Sequence, residues 1–433
     1  MQNSESRIGI VGAGPGGVSL ARLLKDQGVG NVVIFERTDR VGGKSFSWNW
    51  QGLAHEMGTC YAAGSYGVVK EWLRHYGVGL FQLKKSAALL RDGSIVDFRD
   101  YVNHAGRLAS YRELLRYTRA CFGYSVRART AAGRAKVDRE LSQPYGQWLT
   151  ERGYNSIYRF ALRSMTVMGY GALHQVPALN GLRWTTPGLI RAASKGQMYE
   201  PAEGWAVLWE RMAATMDVRY GAGIQRVVRE GARYRVETSQ GAETVDHLVV
   251  TTPLDECNWM ELSPAAQRVA AQVEWHGVIT TLVVAEGWFR DWDTFFYETN
   301  TLEAGGSRFG HILGARRTGD KVPGLPPDRP DVYVTYQYTN ASVSDEQALT
   351  TLREDIAEMG GCVKEVLLRK RWKYCPTLTP EAIASGMVRE MEAMQGVDNV
   401  WYSGATFSHE SVFNIAEFNI KLAEQMAKRL RQN

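Results

Sequence analysis

At 433 residues the chain exceeds the usual size of one domain, so two or more domains are expected. Hydrophobic residues make up 44% and charged residues 22%, which excludes a largely disordered chain. Lys and Arg number 51 against 46 Asp and Glu, and a net charge of +5 is too small to argue for a nucleic-acid partner.

In chain order, residues 7–12 (RIGIVG) form a short β-branched run and 17–27 (GVSLARLLKDQ) an amphipathic one. The strand Val32 to Glu36 follows, and together they make a βαβ unit with a glycine turn inside it. From about 66 to 200 the pattern is mainly helical, with amphipathic pieces at 66–76, 109–121 and 145–165. Residues 217–253 alternate like strands and hairpins, and their last run, Leu248 to Thr252, reads as a return to the first sheet. Further strands are expected at Val278 to Ala285 and Val332 to Tyr338, separated by a Pro-rich loop at 323–330. A short strand at Val400 to Ser403 precedes an amphipathic closing helix at 415–431.

Five scattered cysteines without CxxC spacing argue against a disulfide framework or a zinc site. The N-terminus lacks the basic region and apolar core of a signal peptide, and no run approaches 18 apolar residues, so a cytoplasmic protein without a transmembrane segment is expected. No oligomeric state can be read. The 13 Trp and 20 Tyr are a surplus that fits either a large core or the walls of a cavity for a flat ligand.

Gly12, Gly14 and Gly17 stand in a GxGxxG that follows a strand and opens a helix. In that position the first glycine makes the tight turn, the second lets a pyrophosphate approach the backbone, and the third brings helix and strand together. The helix N-terminus then offers its free N–H groups and positive dipole end to phosphate. Glu36 ends the second strand 24 positions after Gly12, where a carboxylate can accept from a ribose diol and would repel a 2′-phosphate. Gly42, Gly43 and Lys44 add a second glycine pair and a cation able to face a diphosphate.

RIGIVGAGPGG, VVIFERTDRVGGKSFS and HEMGTCYAAGSY together resemble the glutathione-reductase-type FAD-binding fold of flavin amine oxidases, phytoene desaturases and bacterial polyunsaturated fatty acid isomerases. The likeness continues through VMGYGALHQVPA, YEPAEGWAVLWERM, FGHILGARR and WKYCPTLTPE to VWYSGATFSHESVFN. It implies an α/β protein: an FAD-binding Rossmann domain built from 1–65, 201–255 and 386–433, interleaved with a substrate domain of mixed sheet and helices from 66–200 and 256–385. It also implies that Gly12, Gly14, Gly17, Glu36, Gly43 and Lys44 bind the ADP half of FAD. Met57 and Gly58 would pass the flavin ring, the backbone of Ile224 would meet adenine, and Gly404, Ala405 and Val412 would close the site. Ala405 departs from the Gly-Glu pair common in relatives; Thr406, Ser408 and His409 are the nearby substitutes. His55 and Glu56 could be read as an acid/base pair, although relatives use this stretch mainly for shape.

Flavin chemistry asks the protein to hold a substrate C–H against the ring and to tune the ring electronically. The resemblance therefore implies hydride removal from an activated C–H of a small, largely apolar molecule. The outcome is either oxidation or desaturation, or redox-neutral double-bond isomerisation of an unsaturated acid. An amine or amino-acid oxidase, and a flavin-binding scaffold that has lost catalysis, are the other readings. Candidate pocket residues are Tyr170, His311, Tyr336, Trp372 and Tyr374, with Trp205 and Tyr338 beside them; each is equally an ordinary core aromatic or histidine. Residues 112–139 carry Arg112, Arg116, Arg119, Arg127, Arg129, Arg134, Lys136 and Arg139 against Glu113 and Asp138. This is a solvated helical face, or a basic surface for a carboxylate substrate, an acidic carrier or an anionic membrane.

Overall fold

The computed structural model describes residues 6–318, 330–340 and 342–432. The Pro-rich loop expected at 323–330 therefore lies outside the described residues except for Pro330.

The run Ile8–Val11 is buried on both faces, as a strand at the middle of a parallel sheet must be. It pairs in parallel with Val32–Phe35 on one side and His247–Val250 on the other. Asp217–Arg219 and Val400–Tyr402 complete a five-stranded parallel sheet, so its strands come from widely separated parts of the chain. The helix Pro15–Asp26 starts with Pro at its first position and Gly14 as its N-cap, with no side chain capping its N–H groups. It packs against the closing helix Val412–Leu430. There the buried Asn419 donates to Gly16 O and Ser19 Oγ, both at 2.8 Å, and accepts from Ser403 at the end of the last strand. A three-stranded antiparallel sheet, Ile224–Glu230, Arg233–Thr238 and Gly241–Val245, lies beside this layer.

A seven-stranded mixed sheet forms the second body. Its longest inner strand is the apolar run in Val273–Glu286, which pairs antiparallel with the edge strand Cys362–Leu378 and with Val332–Thr339. Ile312–Arg317, Thr294–Tyr297, Ser86–Leu89 and Ile95–Asp97 continue it to the edge. The last two strands interrupt a stretch, 66–200, that is mainly helical as expected. The small residues of Ser86–Leu89 let the chain lie flat in parallel against Thr294–Tyr297, where Ala87 and Ala88 are buried. The helical pieces of this stretch include Gly67–His75, Arg107–Arg127, Ala131–Leu141, Tyr145–Glu151 and Asn155–Ala161. They close over an aromatic knot in which Tyr117, Tyr145 and Trp148 are fully buried and Tyr154 packs edge-on against Tyr117. Part of the Trp and Tyr surplus is therefore core.

Candidate active site

Between the two sheets runs a cavity of about 970 Å³, at the upper end of the range for ligand pockets. One end lies at the carboxyl edge of the parallel sheet and is lined by Gly12, Gly14, Gly16, Glu36, Gly43 and Thr251. Ligands of open α/β sheets bind at that edge, outside the carboxyl ends of the strands. Gly12 adopts φ +97° to make the turn. A Cβ on Gly17 would lie 2.0 Å from Gly12 O, so Gly17 holds the helix on the strand and does not line the cavity. Gly14 faces open space, its nearest neighbour on that side being Gly43 Cα at 3.8 Å. The glycines thus form a backbone cradle that side chains would fill. Glu36 is buried and oriented: Oε2 accepts from Ala13 N at 2.8 Å, and Oε1 accepts from Thr38 N at 2.9 Å and Thr38 Oγ1 at 2.8 Å. Two carboxylate oxygens offer about four acceptor sites, which leaves capacity for a diol. Ala222, Gly223 and Ile224 line the same end.

The other end is aromatic. Tyr61, Tyr66, Tyr170, Trp184, Trp372 and Tyr374 form its wall with Tyr336, Cys60 and Val278. Trp372 is held by its indole N–H, which donates to Met57 O at 2.8 Å and Thr280 Oγ1 at 3.0 Å. The Tyr336 hydroxyl oxygen accepts from Arg316 Nε at 2.7 Å. Arg316 is fully buried, ion-paired with Glu200, and donates to Glu56 O at 2.9 Å. Burial holds the phenols of Tyr170, Tyr336 and Tyr374 well above their usual pKa and pushes the Cys60 thiol up to about 11, so these groups are protonated at neutral pH. Gly58 lies in the wall with no room for a side chain, since a Cβ would meet Lys44 O at 1.8 Å.

Three expected pocket residues, and Met57, expected beside the flavin ring, lie elsewhere. His311 sits just before the central strand Ile312–Arg317, where its Nδ1 is 2.8 Å from the buried Asp355 carboxylate. That carboxylate needs partners and takes both His311 and Ile312 N. Tyr338 bonds His276 and Gln175 away from the cavity, and Trp205 is pure core. Met57 is fully buried behind the wall and contributes its backbone oxygen only. His55 and Glu56 are no acid/base pair for the cavity: His55 bonds Thr318, and the Glu56 carboxylate accepts from Ser47 and Trp205 N.

Lys44 lines the cavity, yet its ammonium is engaged by Glu410 at 2.7 Å and rests 5.2 Å from the ring centroids of Trp275 and Tyr374. Glu410 Oε2 also accepts from Cys375 N at 3.0 Å. Sequence reading missed Glu410, which stands five positions past Ala405 and just before the N-cap Ser411 of the closing helix. Ala405, Thr406 and Val412 line the cavity. Ser408 is tied to Gly404 O, and His409 stacks on Tyr170 behind the wall.

A family model described as flavin containing amine oxidoreductase matches residues 15–383 of the chain. The chain belongs to this family. AofH of Mycobacterium tuberculosis, a protein named as a flavin-containing monoamine oxidase, is 25% identical over 268 residues, covering 56% of each chain. A polyenoic fatty acid isomerase of Ptilota filicina is 34% identical over 79 residues, covering 18% of this chain and 16% of the relative. The chain thus aligns with about half the length of the first relative and far less of the second. Among solved structures, a fatty acid isomerase from P. acnes that produces CLA superposes with a TM-score of 0.84 at 22% identity, covering 98% of this chain and 99% of that one. This flavin amine oxidoreductase is an FAD-dependent enzyme. The cradle and the oriented Glu36 fit a dinucleotide, and no helix among the described residues is long and apolar enough to cross a membrane.

Proposed function

We propose that the enzyme acts on the apolar, alkene-bearing chain of an unsaturated acid, with hydride leaving an allylic C–H and returning to a different carbon, so that a double bond moves without net oxidation. The observation that carries this reading is the state of the carboxylates in the cavity wall. Among the described residues there are four, and each is committed: Glu36 to Ala13 and Thr38, Glu410 to Lys44, and Asp255 and Glu256 to Lys373. An ammonium entering the aromatic end would meet no unengaged anion, and the face of Tyr374 that could frame it already carries Lys44. An apolar chain meets no such obstacle.

In this reading Gly12, Gly14 and Gly43 would cradle the diphosphate, Glu36 would accept from ribose, and Ile224 and Gly58 would take the adenine and ring ends. The N-terminal end of the closing helix at Val412 closes the site, with Thr406 and Glu410 beside Ala405. Bound there, FAD supplies a hydride acceptor that can also give the hydride back. The chain's own part is to orient and to exclude water. Tyr66, Tyr170, Trp184 and Trp372 confine a flat or extended apolar group, and Arg316 fixes Tyr336 from behind. No side-chain base is required for hydride removal.

The relatives include proteins named for both chemistries, so the support for this reading comes from the wall and not from the likeness. The test is a titration of the oxidised holoenzyme with unsaturated carboxylic acids and with alkyl and aryl amines, followed by the flavin spectrum. Perturbation by the acids and not by the amines supports the proposal; the reverse pattern establishes the amine oxidase reading in its place.

A further inference from the structure

The helix Arg107–Arg127 is apolar on two opposite faces. Its inner face buries Glu113, Tyr117 and Tyr124, and Tyr117 reaches the segment beside the cavity wall, its hydroxyl donating to Thr185 O at 2.8 Å. The outer face should be polar, as on any solvated helix. Instead Leu108, Tyr111, Leu115, Phe122 and Val126 are exposed there, Phe122 at 68%, Leu108 at 62% and Tyr111 at 58%. At 3.6 residues per turn these five fall within a sector of about 60°, roughly opposite the buried face. Half of the large hydrophobic residues exposed anywhere among the described residues stand on this one helix, where scattered single exposures are the norm.

The charge around the stripe has one sign. Arg107, Arg112 and Arg119 on the helix and Arg129 just past its end are exposed, and none has an ion-pair partner among the described residues. Glu113 is the sole acid between Asp100 and Asp138, and it is turned inward to accept from Ile157 N at 2.8 Å. A second copy docking through the same face would set arginine against arginine with no acid to relieve it, because a two-fold interface is self-complementary. A bilayer with anionic headgroups satisfies both features together: an acyl boundary for the stripe and negative charge for the arginines.

We propose that Arg107–Arg127 is an interfacial helix that seats the protein on an anionic lipid surface, lying in the plane of the headgroups with its apolar stripe inserted. The inference rests on the surface alone and holds whichever substrate the cavity takes.

The experiment is co-sedimentation of the FAD-loaded enzyme with vesicles of phosphatidylcholine and phosphatidylglycerol, and with vesicles of phosphatidylcholine alone. Binding is expected to the mixed vesicles, to weaken with added salt, and to be lost in Leu115→Asp/Phe122→Asp. Arg112→Gln/Arg119→Gln should bind about 25-fold more weakly, since each basic residue near such a surface is worth about a fivefold change in partitioning. All these positions are exposed, and retention of bound FAD confirms that the variants fold. No sedimentation at low salt, or sedimentation that the stripe variants leave unchanged, overturns the proposal. So does a dimer in sedimentation velocity that Leu115→Asp/Phe122→Asp dissolves, which would assign the face to a second copy.

Discussion

Replacing Glu36 by Gln tests the dinucleotide end of the site with a change of almost no volume. The carboxylate accepts on both oxygens, from Ala13 N on one and from Thr38 N and Oγ1 on the other. A glutamine has one acceptor oxygen and one NH₂ donor. Whichever way the amide turns, its NH₂ faces a backbone N–H, so at least one internal bond is lost and the loop between the second strand and Gly42 loses its anchor. The bond to a ribose hydroxyl is also weakened, because the acceptor is no longer charged. A hydrogen bond to a charged group is worth about 1.5–3 kcal/mol; the internal bond is lost with or without FAD, so the ribose bond alone, about 1.5 kcal/mol at the lower figure, acts on affinity. At about 1.4 kcal/mol per decade, the FAD Kd should rise on the order of 10-fold. The assay is titration of apoenzyme with FAD, following quenching of flavin fluorescence. A Kd within threefold of wild type would refute the assignment of Glu36 to the cofactor.

The same Gly→Ala change should have opposite consequences three residues apart. At Gly17 the methyl would collide with Gly12 O, so the protein should fail to fold or lose its flavin entirely; at Gly14 it should leave the apoenzyme's melting unchanged and weaken FAD alone, as calorimetry and flavin titration can compare. Arg316→Met removes the buried cation paired with Glu200 and should cost about 3–5 kcal/mol in a denaturant melt; a loss under about 1 kcal/mol would mean that the pair is not buried as described. His409 is buried and neutral, burial and the nearby Arg183 having driven its pKa down to about 3. Its unfolded counterpart protonates near pH 6.5, so its contribution to stability is complete above that pH and is lost as pH falls towards the folded value. His409→Phe keeps the stacking on Tyr170 and should reduce the stability lost between about pH 6 and pH 4 by about 2 kcal/mol; identical acid limbs for variant and wild type would contradict this.

The nucleotide end was legible because its demands are local. Gly12, Gly14, Gly17 and Glu36 lie within one βαβ unit, and each meets a backbone constraint that recurs wherever a dinucleotide meets such a turn. The substrate end depends on contacts across the whole chain. Trp372 reaches the wall because its indole bonds Met57 O more than 300 residues away, and no spacing distinguishes it from Trp205, which is core. His311 shares a resembling segment with Arg316, yet the buried Asp355 holds it on the other side of the sheet. Lys44 was expected at the diphosphate because it follows a glycine pair; Glu410, carried in by the closing helix, fixes its ammonium over Tyr374 instead. The strands Ser86–Leu89 and Ile95–Asp97 escaped notice because three or four residues at a sheet edge carry no periodicity to read.

The most direct test of the central claim is turnover of an unsaturated acid panel by the holoenzyme under anaerobic conditions, with flavin absorbance and product double bonds followed together. Product with a displaced double bond, formed with the flavin oxidised at steady state and no oxygen consumed when air is readmitted, is the predicted result. Permanent bleaching of the flavin by an amine, with oxygen consumed in step with turnover, would contradict it.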